Sequence, residues 1–487
     1  MLILAIDLGT TGNRALVFDE QLRVRARSYR EFPQIYPQPG WVEHDPEVIW
    51  QTTVAVIREA ADALDGESIG AVALTNQRET CCGWDRDTGR AHGNAIVWQD
   101  RRTAATCAGL AATPVGARIR ERTGLRCDPY FSATKWAWMR EHGRLPSDAA
   151  LGTIDSWILY RLTGGAVHRT DITNASRTML FDIAAQDWDP ELCAAFGIDP
   201  RHLPRVEPCD GAFGSTATEA VGFAAPIRAV AGDQHAALFA QGGYNPTVIK
   251  NTYGTGLFVL ANVGEKIPQA EGLLATPAWR LGGRTEYALE GGAFSGGASV
   301  QWLRDGLELI TGANETGELA ASLSDNGEVY FVPALAGLGA PHWDADARGM
   351  LIGITRATTR AHLVRAALEA AAYRTRDIVA AFSAHSGHES AVLRADGGAC
   401  ANAWLMQFQA DILGCEVLVP AVTQTTALGV TGMAGIAAGV WPDRQAFQQH
   451  VAIDRHYRPH MPAAHRERLY ARWCDALDRA RAWHRSD

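Results

Sequence analysis

A chain of 487 residues, 47% hydrophobic and 20% charged, has a globular composition and exceeds what one compact core serves, so two domains of similar size flanking a cleft are expected. Its formal net charge of -9, with basic residues scattered, leaves no electropositive patch for nucleic acid, and no apolar run approaches a membrane span. The nine cysteines lack metal-ligand spacing and read as reduced thiols of a cytoplasmic protein, and none of the three lysines, Lys135, Lys250 and Lys266, sits in a G-x-x-x-x-G-K-[ST] loop.

The apolar stretch Met1 to Ile6 has no basic leader and runs into Asp7, so it reads as a buried strand rather than a signal peptide. Gly9-Thr-Thr-Gly12 is turn chemistry and Ala15 to Phe18 is apolar again, which predicts a β-hairpin with a polar tip. Asp45-Pro46 supplies an N-cap and a first-turn proline for a helix whose apolar stripe is expected at Trp50, Val54, Ile57 and Ala61. Ile69 to Leu74 and Asn94 to Trp98 are expected as strands, and Thr153 to Leu162, closed by Gly164-Gly165, as a helix.

The opening pattern returns further on. Val248 to Thr252 reads as a strand, Tyr253-Gly-Thr-Gly256 as a turn and Leu257 to Ala261 as the returning strand, which suggests two related halves, residues 1–242 and 243–487, each presenting one polar hairpin tip. In the second half Val329 to Val332, Leu351 to Ile354 and Val417 to Pro420 are expected as strands. Arg360 to Ala384, Asn402 to Leu413, Ala427 to Val440 and the charged Arg466 to Trp483 are expected as helices, the last packing through Leu469, Trp473 and Leu477.

The tips carry the chemistry. Asp7-Leu-Gly-Thr-Thr-Gly12, followed by Arg14, joins a strand-end carboxylate to two hydroxyls and outward-facing backbone N–H groups, a set that suits a phosphate and Mg2+, with Asp7 reaching the metal directly or through water. Asn251-Thr-Tyr-Gly-Thr-Gly256 repeats the device, and two such tips facing each other would clamp a triphosphate. Taken singly, each motif suits an ordinary glycine turn equally well. No G-x-G-x-x-G joins the first strand to a helix, which argues against a dinucleotide dehydrogenase.

Thr75-Asn-Gln-Arg-Glu-Thr80, Ala95-Ile-Val-Trp-Gln-Asp-Arg-Arg102, Asp128-Pro-Tyr-Phe-Ser-Ala-Thr134, Thr173-Asn-Ala-Ser-Arg-Thr178, Gly232-Asp-Gln-His-Ala236, Gly397-Gly-Ala-Cys-Ala-Asn402 and Leu405-Met-Gln-Phe-Gln-Ala-Asp411 occur in this order. On these segments nearly the whole chain resembles the FGGY carbohydrate-kinase family, in particular its glycerol-phosphorylating branch. The resemblance implies an α/β fold of two actin-like, ribonuclease H-like ATPase domains flanking an active-site cleft. It implies ATP and Mg2+, and transfer of the γ-phosphoryl group to glycerol to give sn-glycerol 3-phosphate in a cytoplasmic homo-oligomer, a dimer or tetramer.

It also implies that Arg78, Glu79, Tyr130 and Asp233 hydrogen-bond the triol, with Gln234 nearby and Trp98 and Phe258 as apolar walls. Such a set fits three hydroxyls on one side of a small molecule and C–H groups on the other. Asp233 is the expected general base and could also reach the metal through water, although its place before Ala236 to Phe239 suits a helix N-cap as well. Thr10, Thr11, Gly12, Asn13, Arg14 and Thr255 are expected at the phosphates, and Gly297, Gln301, Gly398 and Asn402 at the adenosine. Leu8, Gly12, Asn13, His342 and Gln424 depart from the family's usual residues, and Gly214 to Ile227 lacks its glycine-rich, arginine-ended loop for fructose 1,6-bisphosphate, so insensitivity to that effector is expected.

Overall fold

The computed structural model describes residues 1–269, 271–386, 392–481 and 483. Leu2–Leu8, the first strand, is buried along its whole length because its alternate side chains feed two different cores. Leu2, Leu4, Ile6 and Leu8 pack toward the helices Pro46–Asp62 and Ile154–Leu162, whereas Ile3 and Ala5 face the helices Asp233–Ala240 and Thr425–Ala437. A strand covered on both faces needs an unbroken apolar run, which is what the sequence carries there.

This strand lies at the centre of a five-stranded sheet in the order Ile227–Gly232, Ile69–Asn76, Leu2–Leu8, Gly12–Phe18, Val24–Glu31. The first three run parallel and the last two return antiparallel. The second sheet has seven strands, and five of them, Glu416–Pro420, Val392–Asp396, Val248–Tyr253, Leu257–Gly264 and Arg284–Ala293, repeat this order and these directions. The likeness between the two hairpins thus extends to whole sheets. Asp7 pairs with Arg14 across the first tip and Tyr253 with Leu257 across the second.

Two helices join the sheets. Thr425–Ala437 lies against Asp233–Ala240 so closely that a Cβ at Gly429 would fall 1.8 Å from the Ala236 carbonyl oxygen, so only glycine allows this approach. Each helix begins beside a sheet's C-terminal edge, which brings Asp233 and Thr426 toward the two hairpin tips. In the first half, the segment carrying the helices Ala104–Ala111, Pro114–Thr123 and Ala133–Glu141 builds a separate small core around Phe131, Trp136 and Met139, and this core supports Tyr130.

Some elements differ from expectation. The helix Pro46–Asp62 is capped by Asp45 and opens with Pro46, but it buries Ile49, Thr53, Val56, Ile57 and Ala60, leaving Trp50, Val54 and Ala61 half-buried. The buried face is turned by about one residue because Asn13 engages Ile49 and Thr53. Only Ala95–Ile96 of the expected strand Asn94 to Trp98 pairs as a strand, since Trp98 leaves the sheet to reach Thr10. The terminal helix is Ala463–Ala480 and buries Trp473 and Leu477.

Candidate active site

Between the two tips lies a cavity of about 490 Å3, lined by Thr10, Thr11, Arg78, Glu79, Trp98, Tyr130, Asp233, Gln234, Thr255, Phe258 and Gln301 among others. Residues from eight separate stretches of chain therefore meet in one place. Trp98 sits edge-on to Tyr130 and Phe258, with ring centroids 5.6 and 6.0 Å apart, and its indole N–H donates to Thr10 Oγ1 at 3.0 Å. The aromatic wall is thereby tied to the first tip.

Asp233 begins the helix Asp233–Ala240 and Gly232 occupies the capping position, so the carboxylate does not serve as the N-cap. Its Oδ1 accepts the Gln234 N–H at 2.7 Å and faces Arg78 Nε at 3.3 Å, while 27% of the side chain remains exposed to the cavity. Burial raises its carboxyl above the ordinary range, opposed by Arg78 and Lys250. Raised basicity with partial exposure suits a proton acceptor. A Cβ on Gly232 would lie 2.7 Å from Cγ and Cδ of Arg78, so the glycine lets the arginine stem pass directly over the backbone.

Arg78 and Glu79 are buried, not surface charges. Arg78 makes a two-pronged contact with Glu290, Nη1 to Oε2 at 2.6 Å and Nη2 to Oε1 at 2.9 Å. Arg177 donates from Nη2 to the same Glu290 Oε1 at 2.9 Å and from Nε to Glu79 Oε1 at 2.6 Å. These four side chains are at most 2% exposed, and two cations against two anions leave the cluster neutral. Burial works against the charge on Glu290, but Arg177 and Arg78 outweigh it and hold the carboxyl far below its usual range. Burial dominates at Glu79 and raises it, Arg177 and Arg78 opposing. Glu79 adopts φ of 63°, a left-handed conformation that a non-glycine residue keeps only when its surroundings enforce it.

A second cavity, about 770 Å3, opens on the other side of the second tip and is lined by Thr255, Gly297, Gln301, Gly398 and Asn402 with Val300, Leu368 and Trp404. Gly254, Thr255 and Gln301 border both cavities. Gly398 has open space where a side chain would stand. Asn402 caps the helix Ala403–Leu413 through Leu405 N–H at 3.1 Å and donates to Thr316 Oγ1 at 3.0 Å, fixing that wall.

At the first tip Thr11 is exposed, as Thr255 is at the second. Asp7 Oδ2 accepts from Thr426 Oγ1 at 2.8 Å and lies 3.8 Å from Arg14 Nη1. Burial raises the Asp7 carboxyl, Arg14 and Thr426 oppose, and the charge on Asp233 adds to the rise. Asn13 departs from expectation: its side chain is fully buried on the other face of the strand, donating to Ile49 O, Thr52 Oγ1 and Thr53 Oγ1 at 2.9, 2.7 and 2.9 Å. It cannot turn to a phosphate without abandoning those bonds. Gly12 is also buried, and a Cβ there would meet Arg30 O at 2.6 Å. Leu8 is core, His342 lies 3.6 Å from Asp377, and Gln424 lines a separate cavity together with Arg14.

Sequence reasoning missed Glu290, Arg177, Lys250 and Thr426. Lys250, fully buried, crosses from the second sheet and donates to Gln234 Oε1 at 2.5 Å. Its place four residues before Gly254 of the second tip was the one available signal.

The profile of the FGGY family of carbohydrate kinases, N-terminal domain, matches residues 2–240, and that of the family's C-terminal domain matches residues 249–438. Glycerol kinase 2 of Thermotoga maritima is 49% identical over 490 residues, covering 99% of each chain. Glycerol kinase of Gloeobacter violaceus is 52% identical, covering 99% of this chain and 97% of its own. The crystal structure of Plasmodium falciparum glycerol kinase with ADP superposes with a TM-score of 0.91 at 33% identity, covering 98% of both chains. Xylulose kinase from Lactobacillus acidophilus, 23% identical with a TM-score of 0.89, shares the fold.

Proposed function

Because this chain belongs to the FGGY family of carbohydrate kinases, we propose that it is an ATP:glycerol 3-phosphotransferase, giving sn-glycerol 3-phosphate and ADP. The observation that carries this reading is the small cavity holding Arg78, Glu79, Tyr130 and Asp233 opposite the rings of Trp98 and Phe258, joined at the second tip to a larger, mostly apolar one. A three-carbon triol matches the first, with polar groups for its hydroxyls and rings for its C–H face. An adenosine matches the second, and the shared Thr255 tip lies where the phosphates would pass.

In this mechanism Arg78, Glu79 and Tyr130 orient the glycerol, and Gln234, held by Lys250, closes one side. The terminal hydroxyl oxygen attacks the γ-phosphorus in line as the bond to the ADP oxygen breaks, and its proton goes to the Asp233 carboxylate. Backbone N–H groups of the Thr10–Thr11 and Thr255 tips, with Arg14, receive the phosphates. The charge on Asp233 raises the Asp7 carboxyl, and no group of three or more metal-ligating side chains occurs among the described residues. Two carboxylates without a complete ligand cage fit Mg2+, which is bound through substrate phosphates and water. When bound, the ion neutralises charge on the transferring phosphoryl group. The halves meet near Gly243, and closure of the cleft keeps water from the γ-phosphate.

A panel of glycerol, erythritol, xylulose and xylitol tests the assignment through kcat/KM for coupled ADP release. Glycerol is expected to rank first. A higher value for any other acceptor removes the glycerol assignment, and no ADP release with any of them removes the kinase reading.

A further inference from the structure

Arg78 and Glu79 do not hold themselves in place. Arg78 is almost wholly buried, and both terminal nitrogens of its fork are taken by Glu290, a residue of the second half's strand Arg284–Ala293. Its Nε faces Asp233 and Nη2 makes one weaker contact to Tyr130 Oη at 3.4 Å, while each terminal nitrogen keeps a second N–H beyond its bond to Glu290. Glu79 has one oxygen committed to Arg177 at 2.6 Å, which leaves the other for a ligand. Arg177, fully buried, reaches both carboxylates and lies over the rings of Tyr130 and Phe131 at 5.5 and 5.2 Å.

We infer that Glu290 and Arg177 are positioning residues for acceptor recognition: Glu290, delivered by the second half, seats Arg78, and Arg177 carries that restraint on to Glu79. The inference rests on the proposed phosphorylation of glycerol. Its physical basis is the charge balance of a dry site. With Glu290 neutralised, three buried cations, Arg78, Arg177 and Lys250, face Glu79 and Asp233, and Arg78, already 3.3 Å from Asp233, turns its freed fork onto that carboxylate. The polyol then loses its donor and the base loses its freedom together. Neither Glu290 nor Arg177 borders the nucleotide cavity, so ATP binding does not depend on them.

Steady-state kinetics of Glu290→Gln, Glu290→Asp and Arg177→Lys in the full chain test this, with glycerol and ATP varied separately and folding followed by thermal denaturation. Glu290→Gln is expected to raise KM for glycerol at least about tenfold and to lower kcat, with KM for ATP changed by less than about threefold. Glu290→Asp, which restores the charge, recovers most of the loss. Arg177→Lys keeps the charge but loses the fork, so it raises KM for glycerol while kcat stays near native. A native KM for glycerol in Glu290→Gln, or equal losses toward glycerol and ATP with no recovery in Glu290→Asp, overturns the inference. If Glu290→Gln does not fold, a native KM for glycerol in Arg177→Lys overturns it. Turnover of glycerol by the native chain tests the functional reading separately, since the inference is judged on variant-to-native ratios.

Discussion

Gly232→Ala adds one methyl group and removes no polar atom, yet it should cripple acceptor recognition. Gly232 has φ of -61° and ψ of 148°, a conformation that alanine adopts freely, so the backbone is not strained. The new Cβ would lie 2.7 Å from both Cγ and Cδ of Arg78 and 3.3 Å from His235 Nδ1. Carbon atoms pack at about 3.5–4.0 Å, so the arginine stem must retreat by about 1 Å. It cannot swing into solvent, because its guanidinium is clamped by Glu290 and fully buried. A displacement of about 1 Å at a substrate-orienting group costs about 10²-fold in rate, and overpacking of this kind costs about 1–3 kcal/mol of stability. Coupled ADP release should show kcat/KM for glycerol lowered about 10²-fold with KM for ATP within about threefold of native. Native kcat/KM for glycerol in the variant would refute the claim that Arg78 needs this bare stretch of backbone.

Other consequences concern stability and the nucleotide wall. Asn13→Ala removes the amide that donates to Ile49 O, Thr52 Oγ1 and Thr53 Oγ1, so it should cost about 2 kcal/mol, lowering Tm by about 4–8 °C, with KM for ATP unchanged; a large rise in that KM with native Tm would restore Asn13 to the phosphate site. Burial pushes the Asp155 carboxyl up to about 7, against the hydroxyls of Thr153 and Thr170. The native state therefore holds a proton that the unfolded chain has already released, so this group's contribution is complete below its unfolded pKa of about 4 and fades as pH rises toward 7. Asp155→Asn should consequently gain Tm relative to native between pH 5 and about 8, and parallel melting curves across that range would contradict this. Asn402→Leu unties the Thr316 contact and the helix cap, and is expected to raise KM for ATP about tenfold and leave KM for glycerol alone; equal rises would count against the separation of the two cavities.

The hairpins were legible because their information is local. Glycine and threonine between two apolar runs can hardly do anything but turn, and the second occurrence pointed to two related halves. The segments carrying Arg78, Trp98, Tyr130, Asp233 and Asn402 supplied most of the site through family resemblance, since nothing in their spacing shows that they meet. Glu290 and Arg177 stayed hidden for the same reason: Glu290 is separated from Arg78 by 212 residues and from Arg177 by 113. Asn13 was misplaced although the pleat held the answer. Alternate residues of a strand face opposite ways, so with Arg14 toward Asp7, Asn13 must join Ala15 and Val17 on the helix side. That choice also turns the helix Pro46–Asp62, whose Thr53 and Ile49 carbonyl meet the Asn13 amide where its apolar pattern alone favoured Trp50 and Val54.

Acceptor recognition and phosphoryl transfer converge on Asp233, whose carboxylate borders the small cavity and lies 3.3 Å from Arg78. ADP release with saturating glycerol, compared between the native protein and Asp233→Asn alongside direct nucleotide binding, tests its role most directly. Turnover should fall about 10²–10⁴-fold while nucleotide affinity stays close to native. An asparagine variant that phosphorylates glycerol at nearly the native rate would contradict the assignment of this residue as the base.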